Sequence, residues 1–160
     1  MGIDPGLQNI GWGIIESTLN TTLHKDSGVI KTNSNLQLGQ RLSHIFLSIK
    51  LLLNQYRPDV CIVEQTFVGA NYSTGIKLGS AYGVIITAVD LCHCKMISVP
   101  TKQIKQKILN NGSGTKLEIQ DFINTHFNLS IKSLDISDAL ATAYYIHLCN
   151  NESTVSTSNL

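Results

Sequence analysis

Asp4, Glu64, Asp135 and Asp138 come from three separated stretches of the chain, and each stands where an apolar segment ends or a helix begins. Asp4 follows Met1-Gly2-Ile3 and precedes Pro5-Gly6; Glu64 closes the run Val60-Cys61-Ile62-Val63; Asp135 and Asp138 lie in Ser133-Leu134-Asp135-Ile136-Ser137-Asp138-Ala139. Carboxylates are seldom left in apolar surroundings unless they are paired or bound to a cation. Spaced three apart on one helix, Asp135 and Asp138 would project from the same face, about 5 to 6 Å from each other. Acids just after a cap such as Ser133 are also favoured by the helix dipole alone, without any ligand role. Asp4 and Glu64 resist that explanation, because each ends a strand expected in the middle of a sheet. Four converging carboxylates would repel one another and raise one another's pKa values unless a cation joined them. An all-oxygen donor set selects Mg²⁺, with Mn²⁺ as a substitute, and two such ions about 3.5 to 4 Å apart can hold both reacting oxygens of a phosphodiester displacement. The chemistry expected is metal-dependent hydrolysis of a nucleic-acid backbone.

A net charge of +1, from 12 Lys and Arg against 11 Asp and Glu, argues at first against a polyanionic partner. The distribution argues for one. Without the four candidate ligands the acids fall to 7, and from Leu91 to Leu117 there is no acid but five lysines: Lys95, Lys102, Lys105, Lys107 and Lys116. Phosphate binding depends on such local charge rather than on the total. A solvated lysine face is the plainer alternative.

The elements that must position these groups follow from the apolar pattern. Met1 to Asp4, Ile10 to Glu16 and Thr22 to Thr32 read as three antiparallel strands. Leu38, Leu42, Ile45, Phe46, Ile49, Leu52 and Leu53 recur at helical spacing within Leu36 to Tyr56, stopped by Arg57-Pro58. Asp59 to Glu64 is apolar without alternation, as a strand covered on both faces should be. A small and polar loop at Gly69 to Gly75 leads to a helix from Ile76 to Leu91, a strand at Lys95 to Val99, and helices at Lys102 to Leu109, Thr115 to Phe127 and Leu134 to Cys149. The expectation is one α/β domain over residues 1–149, a mixed five-stranded sheet flanked by helices. Residues 150–160 are expected to form a disordered tail.

The apolar runs are too short to span a bilayer and no basic-then-apolar leader precedes them, which points to a cytoplasmic protein. Cys61, Cys92, Cys94 and Cys149 fall in or beside apolar segments and are expected to be reduced and buried. Cys92-His93-Cys94, read as strand, would offer two ligands at most to one ion, short of a zinc site.

Ile3-Asp4-Pro5-Gly6 with Gly11-Trp12-Gly13, Glu64-Gln65 with Phe67 and Asn71, Lys77-Leu78-Gly79 with Ala81 and Gly83, Gln103-Ile104-Lys105-Gln106, Gly112-Ser113-Gly114-Thr115-Lys116, and Asp135-Ile136-Ser137-Asp138-Ala139-Leu140-Ala141 follow one another in order. Together they resemble the RuvC family of Holliday junction resolvases, over Met1 to about Cys149. The resemblance implies an RNase H-like fold and a homodimer that nicks two opposing strands of a four-way DNA junction with Mg²⁺, in company with a branch-migration helicase. It makes Asp4, Glu64, Asp135 and Asp138 the family's acidic tetrad, with two ions per subunit. It sets Lys105 and Lys116 near the scissile phosphate, where fixed positive charge stabilises the transition state. Phe67 would stack on bases near the junction centre. Asn71, Tyr72 and Thr74 in the loop, Lys77 at the start of the next helix, and Lys102 and Lys107 in the lysine stretch are further candidates for DNA contacts.

The chain departs from the family pattern in three places. Only three residues precede Asp4, Tyr82 stands where an arginine is usual, and the end carries no basic residues. Another RNase H-like nuclease acting on RNA or other branched DNA, an inactive junction-binding scaffold, and an actin-like phosphotransferase suggested by Asp4-Pro5-Gly6 with Gly11 and Gly13 are the alternatives.

Overall fold

The computed structural model describes residues 1–65 and 72–157, with 151–157 described by backbone alone. Five strands, β1 (Gly2–Asp4), β2 (Asn9–Ser17), β3 (Thr22–Lys31), β4 (Val60–Gln65) and β5 (Lys95–Pro100), form one sheet in the order β3-β2-β1-β4-β5. β1–β2 and β2–β3 pair antiparallel, while β1–β4 and β4–β5 pair parallel. The short β1 is therefore the central strand, paired on both sides, with Asp4 itself paired to Gly11 of β2.

Period-two alternation sends each strand's residues to two different cores. Ile3, Ile10, Ile14, Cys61 and Val63 bury against α1 (Leu38–Tyr56) and α2 (Tyr72–Leu91). Ile62, Val99 and Leu140 belong to the opposite core, with α3 (Thr101–Leu109), α4 (Lys116–Phe127) and α5 (Leu134–Thr157). This is the three-layer, RNase H-like arrangement expected.

Four local readings need correction. α2 begins at Tyr72, so Tyr72 and Thr74 are helical rather than loop, and Lys77 lies inside the helix rather than at its start. α5 does not stop at Cys149 but runs to Thr157; no proline or glycine in that polar stretch interrupts it, so the expected tail is helical that far. Cys92-His93-Cys94 is a turn between α2 and β5, with His93 at φ 53°, rather than strand. Of the four thiols only Cys61 is buried; Cys92, Cys94 and Cys149 are half-buried, and Cys94 Sγ donates to the Pro58 carbonyl at 3.2 Å.

Candidate metal centre

The sheet brings the first two acids together by register. β1 and β4 run parallel with Gly2 opposite Ile62 and Ile3 opposite Val63, so Asp4 and Glu64 occupy the next position of adjacent strands, both on the α5 side. α5 reaches them because glycines clear its path. A Cβ on Gly2 would stand 2.2 Å from the Ala139 carbonyl oxygen, one on Gly11 1.9 Å from that of Asp135, and one on Gly13 2.6 Å from Leu140 Cδ2. Gly11 is Asp4's partner in the ladder and Gly13 is Gly2's. The helix lies directly on β1 and β2, and its first turns carry Asp135 and the buried Asp138 to the end of β1.

Asp4 lies within reach of the charges of the other three acids. Burial, then the charges of Glu64 and Asp138, push the Asp4 carboxyl up to about 8, with Asp135 adding to the effect and Lys116 opposing it. Burial also raises Glu64, against a hydrogen bond from Thr101; Asp138 pushes it further up while Lys116 and Lys105 pull it down. Asp138 is raised by burial in spite of its bond to Lys116. Such a set is stabilised by cations.

Lys116 supplies one. Its Nζ donates to Asp138 Oδ2 at 2.5 Å. Burial works against the ammonium, yet the Asp138 hydrogen bond and the charges of Asp138, Asp4 and Glu64 raise its pKa overall. Lys116 is the first residue of α4, held by a capping box in which Thr115 N–H donates to Glu118 Oε2 at 2.6 Å and Glu118 N–H donates to Thr115 Oγ1 at 3.2 Å. A cation at a helix N-terminus is opposed by the dipole, so the carboxylates explain its placement. No three Asp, Glu, His or Cys side chains among the described residues close on one point as metal ligands would; the ammonium partly neutralises the acids instead. The donors are nonetheless all carboxylate oxygens, the set that hard divalent cations take.

The charge of Lys105, half-buried on α3, reaches both Glu64 and Asp138 and pulls each carboxyl down. Lys102 and Lys107 lie around the outer side of the same helix, along a groove of about 630 Å³ that also involves Gln103, Gln106, Asn110 and Tyr145. Tyr72, Thr74 and Lys77 are exposed on α2. Phe67 and Asn71 lie outside the described residues. Tyr82 is half-buried, and its hydroxyl shares a 2.5 Å hydrogen bond with Ser98 of β5, which ties α2 to the sheet.

Sequence reasoning missed two groups. Thr101 Oγ1 donates to Glu64 Oε1. Arg41 of α1 clamps the turn after Asp4, donating from Nε to Thr32 Oγ1 at 2.9 Å and from an Nη to the Leu7 carbonyl at 3.2 Å. The only advance sign of Thr101 was a hydroxyl placed directly after Pro100 at a strand-to-helix junction; Arg41 gave none.

A mixed sheet of this order with carboxylates gathered at its centre defines an RNase H-like protein with an acidic site. The family model for crossover junction endodeoxyribonuclease RuvC matches residues 1–147. A crossover junction endodeoxyribonuclease RuvC of Geobacter sulfurreducens is 35% identical, covering 100% of this chain and 96% of that protein. The Thermus thermophilus RuvC structure superposes with a TM-score of 0.83 at 23% identity, covering 96% of this chain and 95% of that one. A structure of T. thermophilus RuvC in complex with Holliday junction substrate superposes equally well, at 0.83 and 22% identity. The chain belongs to the RuvC family of crossover junction endodeoxyribonucleases.

Proposed function

We propose that the protein resolves four-way DNA junctions as a homodimer, each subunit nicking one of two opposing strands. The observation that supports this reading is that Asp4, Glu64, Asp135 and Asp138, from three separated segments, lie near enough for Asp4 to feel the other three charges, with Lys116 paired to Asp138 and Lys105 acting on Glu64 and Asp138. Asp4, Glu64, Asp135 and Asp138 would hold two Mg²⁺ ions, or Mn²⁺ in their place. When bound, such ions polarise a phosphodiester and the water that attacks it. Lys116, tethered at the start of α4, and Lys105 add fixed positive charge beside the reacting phosphate without reorganising. Lys102 and Lys107 extend that charge along α3, while Tyr72, Thr74 and Lys77 present polar groups on α2 to the DNA.

Dimerisation is supported by the α1–α2 face. Leu47 and Leu51 are 57% and 68% exposed, and an apolar groove of about 430 Å³ runs between Leu42, Phe46 and Leu47 of α1 and Val84 and Thr87 of α2. Among the described residues no helix is long and apolar enough to cross a membrane; a cytoplasmic setting, where the DNA substrate lies, is part of the same reading.

The test is cleavage of a synthetic four-way junction in Mg²⁺, beside duplex DNA and an RNA–DNA hybrid of the same sequence. Symmetric nicks confined to the junction, and lost in EDTA, are expected. Equal cleavage of duplex or hybrid would favour a different RNase H-like nuclease.

A further inference from the structure

We propose that Thr101 is the positioning residue for Glu64: its hydroxyl holds one carboxylate oxygen, so that the other is presented to a divalent cation. The proposal rests on the carboxylate cluster being a metal site and adds a residue that none of the family-like motifs above contains.

The hydrogen bond follows from the register of the parallel pair. Glu64 lies opposite Val99 and Gln65 opposite Pro100, so the chain leaving β5 turns into α3 beside the Glu64 carboxylate. Pro100 occupies the N-cap and makes no side-chain cap bond, and the first turn of α3 contains no acid. Thr101, next in line, has its Oγ1 donating to Glu64 Oε1 across a half-buried contact.

Three features make this a device for orientation. Threonine is β-branched, so few χ1 rotamers are open to it once α3 is in place, and the one adopted directs its hydroxyl at Glu64. α3 is itself anchored, with Ile104 and Ile108 buried in the core shared with α4 and α5. Glutamate, by contrast, has a flexible stem whose freedom must be lost before it can ligate. A carboxylate accepts at two oxygens; the hydroxyl engages only Oε1 and leaves Oε2 for a cation. Lys105, one turn along α3 from Thr101, adds its charge from the same face, so a single helix start both aims Glu64 and partly neutralises it. Outer partners of metal ligands commonly act in this way, and their loss weakens metal affinity by about 10- to 100-fold.

The test uses the full chain without DNA. Mg²⁺ and Mn²⁺ are titrated into wild type, Thr101→Val and Thr101→Ser, and binding is read by calorimetry and by the metal-induced rise in Tm. Thr101→Val keeps the shape and removes the donor, and should need about 10-fold more metal for half-saturation. Thr101→Ser restores the donor and should bind close to wild type. Junction binding in EDTA should be the same for all three, since Thr101 is given no role toward DNA. Equal metal affinity in Thr101→Val and wild type would overturn the proposal, as would Thr101→Ser binding as weakly as Thr101→Val. If Thr101→Val does not fold, Thr101→Ala against Thr101→Ser makes the same comparison. A wild-type protein that binds neither ion would instead bring down the metal-site reading itself.

Discussion

On one side of the sheet, α5 lies so close to β1 and β2 that glycine is needed at three facing positions; on the other, α1 and α2 leave leucines exposed and a groove open between them. The first side spends packing precision on gathering like charges, an arrangement that opposes folding when no cation is present. The second retains apolar surface that a folded monomer has no use for. The close side thus serves chemistry within the subunit, and the open side has the apolar character that the proposed association between subunits would cover.

The sharpest way to separate the two is to neutralise one carboxylate. Glu64→Gln keeps shape and removes the charge, and cleavage should fall by at least about 10³-fold, the scale on which active-site electrostatics act, while junction binding in Ca²⁺ and the sedimentation coefficient stay as in wild type. Loss of binding in parallel with cleavage would make Glu64 a structural residue. Leu47→Asp breaks the other side. In an isolated subunit such an exposed change costs within about 0.5 kcal/mol, so Mg²⁺ binding should persist; sedimentation velocity should show a monomer, and any remaining nicks should no longer be paired. A variant that stays dimeric removes this face from the interface.

Gly11→Ala tests the close packing directly. The new methyl would meet the Asp135 carbonyl oxygen, which cannot retreat without moving α5. Destabilisation of about 3 kcal/mol or more is expected, at the upper end of overpacking effects, and metal affinity should fall with it because Asp135 and Asp138 move together. Urea unfolding and a Mg²⁺ titration read the two effects. A variant as stable as wild type would mean that α5 shifts freely on the sheet.

These contrasts also mark what the sequence discloses. The uninterrupted apolar run of β4 announced a strand covered on both faces, and the heptad-like leucines of α1 announced its helix, because burial period is written into residue type. Asp4 and Glu64 stood out because each ended such a run, and Asp135 and Asp138 by their spacing of three at a helix start. Thr101 and Arg41 did not, since their partners lie 37 and 34 residues away and meet them only through strand register and the packing of α1. The partial exposure of Cys92 and Cys94 was hidden for the same reason: apolar neighbours in sequence do not say on which side a turn will leave the side chain. Glycine spacing was visible at Gly2, Gly11 and Gly13, but its meaning, the seat of α5, required the ladder that pairs Gly2 with Gly13 and Asp4 with Gly11.

The smallest predicted effect concerns the strain of the close side in the metal-free protein. Asp4 is raised from 3.8 to about 8, and Glu64 and Asp138 are raised as well, each with burial as the first cause. A carboxyl raised in the folded state keeps its proton where the unfolded chain releases it, so its stabilisation is complete below the unfolded pKa and is lost as pH rises through the folded one. In EDTA, the Asp4 contribution should therefore decline between about pH 4 and pH 8. His126 works in the opposite sense: burial first, and then the His147 charge, lower its pKa, so protonating it as pH falls destabilises the fold. The two are separated by comparing wild type with Asp4→Asn, which leaves His126 unchanged. Between pH 5 and 8 the stability difference between the two proteins should shift in favour of Asp4→Asn, on the order of 1 to 3 kcal/mol. Mg²⁺ should erase the decline in wild type alone, since cation binding draws on the ionised carboxylate. Parallel pH profiles for the two proteins in EDTA would show that Asp4 is ionised in the fold without a metal, and the close side would then carry no charge strain at its centre.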